Sequence, residues 1–395
     1  MDDTFPDPDA DVASVAPETL KRRIDDGEPV TLLDVRATSE FEEWHIDGDS
    51  VEVVNVSYFE LLEGVDDHLD RIPAGDPTVV VCAKGGSSEY VAGQLVDAGR
   101  DAVNLERGMQ GWARLYEYHE LAVDTDATVA QYQRPSSGCL AYMVVSDGEA
   151  AVVDPLRAFV HEYVQDARAM GAEVTYALDT HVHADHVSGA RELAAETGAR
   201  VVLPEPAVER GVEYDVDYET VADGDVLSIG DVEVDVLHTP GHTSGMTSYL
   251  VDGSVLLTGD GLFTESVARP DLEGADEEAA RAAAGELHET LQSTVLSLDD
   301  DVLVAPAHFS DAATARADGT HTARLGDLVE RMDALSMDRE SFVEFILSDM
   351  PPRPANYEEI IATNLGRRDT ADEEAFELEL GPNNCAASSD AMTSD

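Results

Sequence analysis

The sequence predicts an α/β protein in two successive parts, and three observations carry that reading. In the first third, short apolar runs alternate with helical stretches, the pattern of a small, mostly parallel sheet. Beyond about residue 128 strands come in succession, and histidines and aspartates stand at the ends of several separate apolar runs. The 395 residues, 43% of them hydrophobic, suffice for two domains with cores of their own. Residues 1–16, acidic and carrying Pro6 and Pro8, read as a loose tail. Residues 17–121 read as a first domain, 122–127 as a linker, 128–368 as a second domain and 369–395 as an acidic, disordered tail.

In the first domain, Pro17 to Asp26 is predicted as a helix and Val30 to Val35 as a buried strand. Ser39 to Trp44 gives a helical turn and Val51 to Val54 a second strand. Val79 to Cys82 is a third strand, followed by a Gly-rich loop and a helix from about Ser88 to Ala98 that Gly99 stops. Ala102 to Leu105 is a strand and Gly108 to Tyr118 a closing helix. Cys82 thus ends a strand, and Ala83-Lys84-Gly85-Gly86-Ser87-Ser88 wraps from it into a helix N-terminus. Backbone N–H groups in such a loop, with the positive helix end, stabilise a thiolate or a persulfide anion. The alternative for Cys82 is a buried structural thiol. Lys84 is one of only two lysines in the chain, beside Lys21, and it stands two residues past this cysteine. Its alternative is a solvated loop cation.

The second domain opens with strands at Thr128 to Tyr132, Leu140 to Val145 and Glu149 to Asp154, with Ser146-Asp147-Gly148 as a hairpin turn. Cys139, at the start of one strand, reads as packing. Arg157 to Met170 is an amphipathic helix. The buried strand Val174 to Leu178 then runs into Thr180-His181-Val182-His183-Ala184-Asp185-His186. On an extended backbone His181 and His183 point the same way, and Asp185 and His186 turn back where the next helix begins. His242 lies in Thr239-Pro240-Gly241-His242-Thr243 after the strand Val232 to Leu237. Asp260 closes Leu257-Thr258-Gly259-Asp260, and His308 closes Val304-Ala305-Pro306-Ala307-His308. Since each group follows a strand, all seven can converge on one rim of a sheet-built scaffold, and zinc or iron suits such an imidazole and carboxylate set. Arg269 and Asp271 lie in a loop near that rim, either shaping the substrate side or pinning the loop as a salt bridge. Asp276 to Leu298, Thr322 to Leu335 and Arg339 to Ser348 are helical, and a last helix follows Pro351 to Tyr357. Cys385 receives no role.

A net charge of −59 is extreme and spread along both parts. It suits a chain adapted to molar salt, where screening shortens to ~3 Å, and it disfavours nucleic acid, whose phosphates would be repelled. Three cysteines make no disulfide framework and suit a reducing cytoplasm. The start of the chain lacks the basic and apolar regions of a signal peptide, and no run is apolar enough to span a bilayer, so no membrane partner is expected.

The order HxHxDH, TPGHT, TGD and PAH, over about Thr128 to Gly366, resembles the metallo-β-lactamase superfamily. That resemblance implies an αββα sandwich of two packed β-sheets flanked by helices. The first part resembles a rhodanese domain over about Pro17 to Glu120. The matching pieces are Leu33-Asp34-Val35-Arg36 with Glu40-Phe41, Trp44-His45-Ile46-Asp47-Gly48, Val81-Cys82-Ala83-Lys84-Gly85-Gly86-Ser87-Ser88 and Asn104 to Trp112. It implies Cys82 as the sulfur-carrying nucleophile, with Lys84, Gly85, Gly86 and Ser87 about the substrate. The family's loop usually ends in arginine or threonine near Ser87, and a glycine usually stands where Trp44 does.

Two chemistries of the metallo-β-lactamase superfamily compete. With His181, His183, Asp185, His186, His242, Asp260 and His308 holding two Zn2+ per chain, a bridging hydroxide would hydrolyse a thioester, as in glyoxalase II. With only His181, His242 and Asp260 holding one Fe2+ per chain, a two-histidine, one-carboxylate face with open positions results. That resembles the persulfide dioxygenases, which oxidise a small-molecule thiol persulfide with O2 to sulfite; His183, Asp185, His186 and His308 would then orient ligands and water. A sulfur-carrying neighbour domain favours the second chemistry. The thiol carrier stays unnamed, and a homo-oligomer stays open.

Overall fold

The structure is a computed structural model that describes residues 12–274, 276–310, 312–348, 350–381 and 386–387. The chain divides into two compact units, the first built from the residues up to Leu115 and the second chiefly from Tyr116–Arg134 and Gly138–Glu379.

The first unit comprises β1 (Ser14–Val15), α1 (Pro17–Asp25), β2 (Val30–Asp34), α2 (Thr38–Glu43), β3 (Val51–Asn55), β4 (Thr78–Val81), α3 (Gly86–Asp97), β5 (Ala102–Leu105) and α4 (Gly108–Trp112). Its five strands pair in the order β1-β5-β4-β2-β3, all parallel. Parallel strands are covered on both faces, which is why they read as continuous apolar runs. Leu33, Val80, Val91 and Leu95 pack on one face, and Leu20, Leu32, Val79, Met109 and Trp112 on the other. Two expectations are corrected. Ser14 and Val15, placed in a loose tail, form a strand against Asn104 and Leu105. The closing helix stops at Trp112, because Glu117–Glu120 is not helical but forms β6, paired with β7 in the second unit.

The second unit continues with β7 (Thr128–Arg134), β8 (Cys139–Ser146), β9 (Glu149–Val153), α5 (Val160–Ala169), β10 (Glu173–Leu178), α6 (Ala190–Thr197), β11 (Arg200–Pro204), α7 (Glu205–Glu209) and β12 (Tyr218–Val221). It then runs through β13 (Val226–Ile229), β14 (Val232–His238), β15 (Thr247–Val251), β16 (Val255–Gly259), α8 (Glu277–Ser293), β17 (Leu303–Pro306), β18 (Ala323–Arg324), α9 (Leu325–Arg331), α10 (Arg339–Ser348), α11 (Tyr357–Asn364) and α12 (Asp372–Leu378). Two sheets result, ordered β12-β11-β10-β9-β8-β7-β6 and β13-β14-β15-β16-β17-β18. Their inner faces share one core, with Tyr142, Val153 and Leu178 from the first and Val234, Tyr249 and Leu257 from the second. On the outer faces α5 and α6 cover the first sheet through Tyr163, Val164 and Leu193, and α8 and α10 cover the second through Leu287, Leu291 and Phe342. This is the expected αββα sandwich. The segment from Asp369, expected without structure, contains α12 instead, whose Ala375 and Phe376 are buried. Cys385 lies outside the described residues.

Candidate metal centre

In the second unit, parallel neighbours end together and set the site. β9 and β10 run in parallel register, Val153 opposite Leu178, and deliver Asp154 and the loop from Asp179. β16 and β17 likewise run parallel and deliver Asp260 and His308, with Ala307 N–H donating to Gly259 O at 2.9 Å. The two rims are tied across the sandwich, since Thr247 N–H donates to Thr180 O at 2.9 Å and Leu140 N–H to Ala307 O at 2.7 Å. Gly259 has φ +52°, and a Cβ there would stand 2.2 Å from Met246 and 2.6 Å from Thr180 Oγ1. The turn that presents Asp260 beside His181 therefore requires glycine.

All seven predicted ligand-type residues are buried, and they separate into three neighbouring groups: His181 with His242 and Asp260; Asp185 with His186, His308 and Cys139; and His183 with Asp154 and Asp179. In the first group Asp260 Oδ2 lies 3.6 Å from His181 Nε2 and 3.5 Å from His242 Nε2. None of these three atoms has a hydrogen-bond partner among the described residues. Buried polar atoms are nearly always paired, so three orphans turned toward one point fit a cation between them. The ionisation states agree. Burial, reinforced by the neighbouring His183, pushes His181 down to about 3, and burial lowers His242 as well. Burial alone would raise Asp260, but His308 and His181 hold it well below the usual carboxylate range. Neutral imidazoles and an ionised carboxylate are the forms that bind metal.

Each of the three is oriented from behind. Thr180 Oγ1 lies 2.9 Å from His181 Nδ1 and donates to Asp154 Oδ2 at 2.9 Å, so it is free to accept the Nδ1 proton. Asp154 Oδ1 also accepts from Thr180 N–H at 2.7 Å and faces His183 Nε2 at 3.0 Å. His242 Nδ1 meets Arg269 O at 3.0 Å. His308 Nδ1 donates to Asp260 Oδ1 at 2.5 Å while its Nε2 lies 2.8 Å from Asp185 Oδ2. Burial disfavours the charge on His308, but Asp260 and Asp185 outweigh it and raise the imidazole well above its ordinary range.

Arg269 takes the second of its two expected roles, and Cys139 and Asp154 differ from expectation. Arg269 turns its guanidinium inward, to Asp271 at 2.8 Å and the carbonyls of Pro351 and Pro352 at 2.9 and 2.8 Å, so it pins the loop and serves His242 through its own carbonyl. Cys139, read as packing, stands 3.4 Å from Asp185 Oδ2 among the candidate ligands. Asp154, to which no role fell, anchors His183 and the Thr180 turn; it ends an apolar run as the other ligand-type residues do, and that was the signal to follow.

In the first unit Cys82 is 4% exposed and follows β4. Its sulfur accepts from Gly85 N–H at 3.0 Å, and Ser88 Oγ lies 3.0 Å away, so Ser88 rather than Ser87 carries the hydroxyl at the sulfur. Gly85 takes φ +98° to cap α3, Gly86 opens that helix, Ser87 is half-buried and Lys84 is exposed at the loop's rim. A strand end running into a helix N-terminus thus puts donors around a buried thiol.

The comparisons with known proteins divide the chain in the same way. A model of the rhodanese-like domain matches residues 16–115, and one of the metallo-beta-lactamase superfamily matches residues 135–308. A hydroxyacylglutathione hydrolase of Erythrobacter litoralis is 30% identical over 219 residues, 55% of this chain and 78% of the relative. The mitochondrial persulfide dioxygenase ETHE1 of Bos taurus is 26% identical over 207 residues, 50% of this chain and 76% of the relative. Among solved structures, ETHE1 of Myxococcus xanthus superposes with TM-score 0.52 at 24% identity, covering 63% of this chain and all of that one, 100%. A metallo-beta-lactamase of Staphylococcus aureus does so with TM-score 0.57 at 24% identity, covering 63% and 75%. At those identities the two structures speak for the fold. The chain belongs to the metallo-beta-lactamase superfamily, and a rhodanese-like domain precedes its metallo-beta-lactamase domain.

Proposed function

We propose that the second domain is a persulfide dioxygenase, converting a small-molecule thiol persulfide, O2 and one water to thiol, sulfite and two protons at one Fe2+ held by His181, His242 and Asp260. The observation that carries this reading is the engagement of Asp260. Its Oδ2 faces the two unpartnered imidazole nitrogens, whereas its Oδ1 accepts from His308 and is turned away from bridging to a second ion. Two imidazoles and one carboxylate on one face suit ferrous iron and leave coordination positions open. The iron would supply the redox chemistry that brings oxygen and persulfide sulfur together.

The chain's own residues prepare that face. Thr180 and Asp154 hold the His181 ring with its proton on Nδ1, and Arg269 O does the same for His242, so both Nε2 lone pairs point inward. His308 keeps Asp260 ionised and in register. Complete burial of the trio excludes bulk water, which would compete for the open positions. In the first domain, Cys82 would carry sulfane sulfur, its persulfide anion met by Gly85 N–H and the Ser88 hydroxyl. The pairing of the two domains supports the sulfur substrate.

A second reading has an observation in its favour. Asp185, His186 and His308 also cluster, as a dinuclear zinc thioester hydrolase of the hydroxyacylglutathione hydrolase type needs. The deciding experiment is anaerobic purification with metal quantification and an oxygen electrode. The dioxygenase reading expects about one iron per chain, and oxygen uptake on addition of a thiol persulfide. A protein that holds only zinc, consumes no oxygen and cleaves a glutathione thioester would overturn it.

A further inference from the structure

We propose that Tyr132 and Tyr118 form an electron relay from the metal centre to the surface, which drains oxidising equivalents when a peroxide reaches the centre without a thiol persulfide. The proposal rests on the reading of the centre as an iron site that meets oxygen, since a zinc hydrolase has nothing to drain. Strand register lays out the path. His308, whose Nδ1 donates to Asp260 Oδ1 at 2.5 Å, makes an isolated antiparallel bridge with Cys139 at the start of β8. Tyr132 of β7 lies opposite Ala141 of β8, which makes Cys139 its diagonal neighbour on the same face, at roughly 7–8 Å between backbone positions. Tyr132 in turn lies directly opposite Tyr118 of β6, with ring centroids 5.4 Å apart. The side chains are joined as well, because Asp185 Oδ2 stands 2.8 Å from His308 Nε2 and 3.4 Å from Cys139 Sγ. Cys139 and Tyr132 belong to one buried cluster, whereas Tyr118 is 37% exposed, so the line runs from the core to solvent.

The phenols on this line differ from their neighbours in what receives their protons. A tyrosine gives up an electron readily only if its phenol proton leaves with it, which requires a base at the hydroxyl. Tyr132 donates to Asp166 Oδ2 at 3.0 Å and Tyr118 to Glu120 Oε1 at 2.9 Å, so each has a carboxylate in place. Tyr163 and Tyr116 also stack on Tyr132, with centroids 4.9 and 5.5 Å away, but their hydroxyls bond to one another. In the core between the sheets, Tyr142 and Tyr249 donate to the carbonyls of Pro306 and Asp179, which cannot take a proton. The two tyrosines equipped with bases are thus the two that register places in line with Cys139 and His308.

The oxidant is a hydroperoxide at ferrous iron with no persulfide bound. The O–O bond of hydrogen peroxide breaks on receiving two electrons, one from Fe2+, which becomes Fe3+, and one from Tyr132, and two hydroxides result. The Tyr132 proton passes to Asp166 and leaves a phenoxyl radical. Tyr118 returns an electron to that radical and loses its own proton to Glu120, while Asp166 gives its proton back to Tyr132. At the surface a small-molecule thiol donates a hydrogen atom to the Tyr118 radical, Glu120 releases its proton to solvent, and two thiyl radicals couple to a disulfide. Without the relay the second electron comes from the nearest oxidisable groups, the imidazoles of His181 and His242 and the Cys139 thiol.

Radical trapping tests the assignment. Full-length protein is loaded anaerobically with Fe2+, mixed with hydrogen peroxide, freeze-quenched and read by electron paramagnetic resonance, with peptide mass spectrometry for oxidised His181, His242 and Cys139. The expected result is a tyrosyl radical that a small-molecule thiol quenches. In Tyr118→Phe the radical stays on Tyr132 and the thiol quenches it several-fold more slowly. In Tyr132→Phe, which keeps the stacked ring, the radical is lost and oxidation of the three residues rises several-fold, with iron content as in wild type. Should Tyr132→Phe fail to fold, Asp166→Asn, which keeps the phenol and removes its base, must lower the radical yield. A wild-type protein without a tyrosyl radical, or a radical and an oxidation pattern unchanged in Tyr132→Phe, overturns the relay. Oxygen uptake on a thiol persulfide without a radical overturns the relay alone, and a radical without oxygen uptake overturns the dioxygenase alone.

Discussion

Asp154 touches none of the three trio ligands directly, yet the trio depends on it. Its carboxylate accepts from Thr180 N–H and Thr180 Oγ1 and faces His183 Nε2, and through Thr180 it fixes which nitrogen of His181 carries the proton. In Asp154→Asn an amide N–H2 replaces one acceptor oxygen, so a Thr180 donor or His183 loses its partner. Such orienting groups are typically worth ~10–100-fold in metal affinity. Chelator competition should therefore show iron or zinc held about 10-fold more weakly, with an unchanged far-ultraviolet spectrum; unchanged affinity would remove Asp154 from the site. In the first unit, Gly108 has φ +55° and a Cβ there would meet Cys82 O at 2.0 Å. Gly108→Ala should displace the Cys82 loop and abolish sulfur transfer from thiosulfate or a persulfide, and Cys82→Ser should abolish it by removing the sulfur. Both should leave the metal content unchanged; loss of metal in either would mean that the two units do not act as modules. The seven ligand-type residues and Cys82 were legible because each follows an apolar run in a dense local motif. Cys139 was not, because a single Cys carries no spacing signal and only strand pairing brings it to the rim; Asp154 also follows an apolar run but stands outside any dense motif.

Strands and helices were legible where burial imposes a period. The buried runs Val30 to Val35 and Val174 to Leu178 became β2 and β10 almost residue for residue. The misses share one cause, contacts that the segment's own composition does not announce. β6 reads Glu117-Tyr118-His119-Glu120, half-exposed and without apolar alternation, and it is a strand because β7 offers it a ladder. The acidic segment after Asp369 lacks any pattern strong enough to announce α12, but it ends on a contact no composition reveals. Glu379 pairs with Arg134 at 2.6 Å, both side chains 1% exposed, and its other oxygen accepts from Val187 N–H at 2.7 Å, just past His186. The segment thus reaches back to hold the metal loop. Removing one member of such a buried pair leaves an uncompensated charge, at a cost of ~3–5 kcal/mol. Glu379→Ala should lower the melting temperature of the second unit by about 6–20 °C, at ~2–4 °C per kcal/mol, and loosen the 181–188 loop toward faster amide exchange. A melting temperature within a degree of wild type would show that Arg134 finds another partner.

At the scale of the molecule, charge outweighs every other departure from an ordinary globular protein. The chain carries 83 acidic residues against 24 lysines and arginines, a net −59, and a folded state concentrates charge that the unfolded chain spreads out. Much of the basic complement is already used. Arg134 and Arg269 are buried in pairs, Arg36 is buried against Asp34 at 2.7 Å, and Arg157 bridges Glu192 and Asp372. Surface carboxylates such as Glu277 and Glu278 stand side by side at the N-terminus of α8, where the dipole offsets only ~0.3–1 kcal/mol each. Screening must supply the rest. The Debye length falls from ~10 Å at 0.1 M to ~3 Å at 1 M salt, shorter than the spacing of most surface carboxylates, so stability should climb steeply across that range and flatten above it. Thermal unfolding in KCl should show the rise as an increase of more than ~2–4 °C, the equivalent of one kcal/mol for a domain of this size. Excluded solutes also raise melting temperatures without acting on charge, so sucrose is the control. A rise in KCl that sucrose fails to reproduce assigns the effect to screening. An equal rise in both, or none in KCl, would mean that the carboxylates are spaced widely enough to leave the folded state undisturbed.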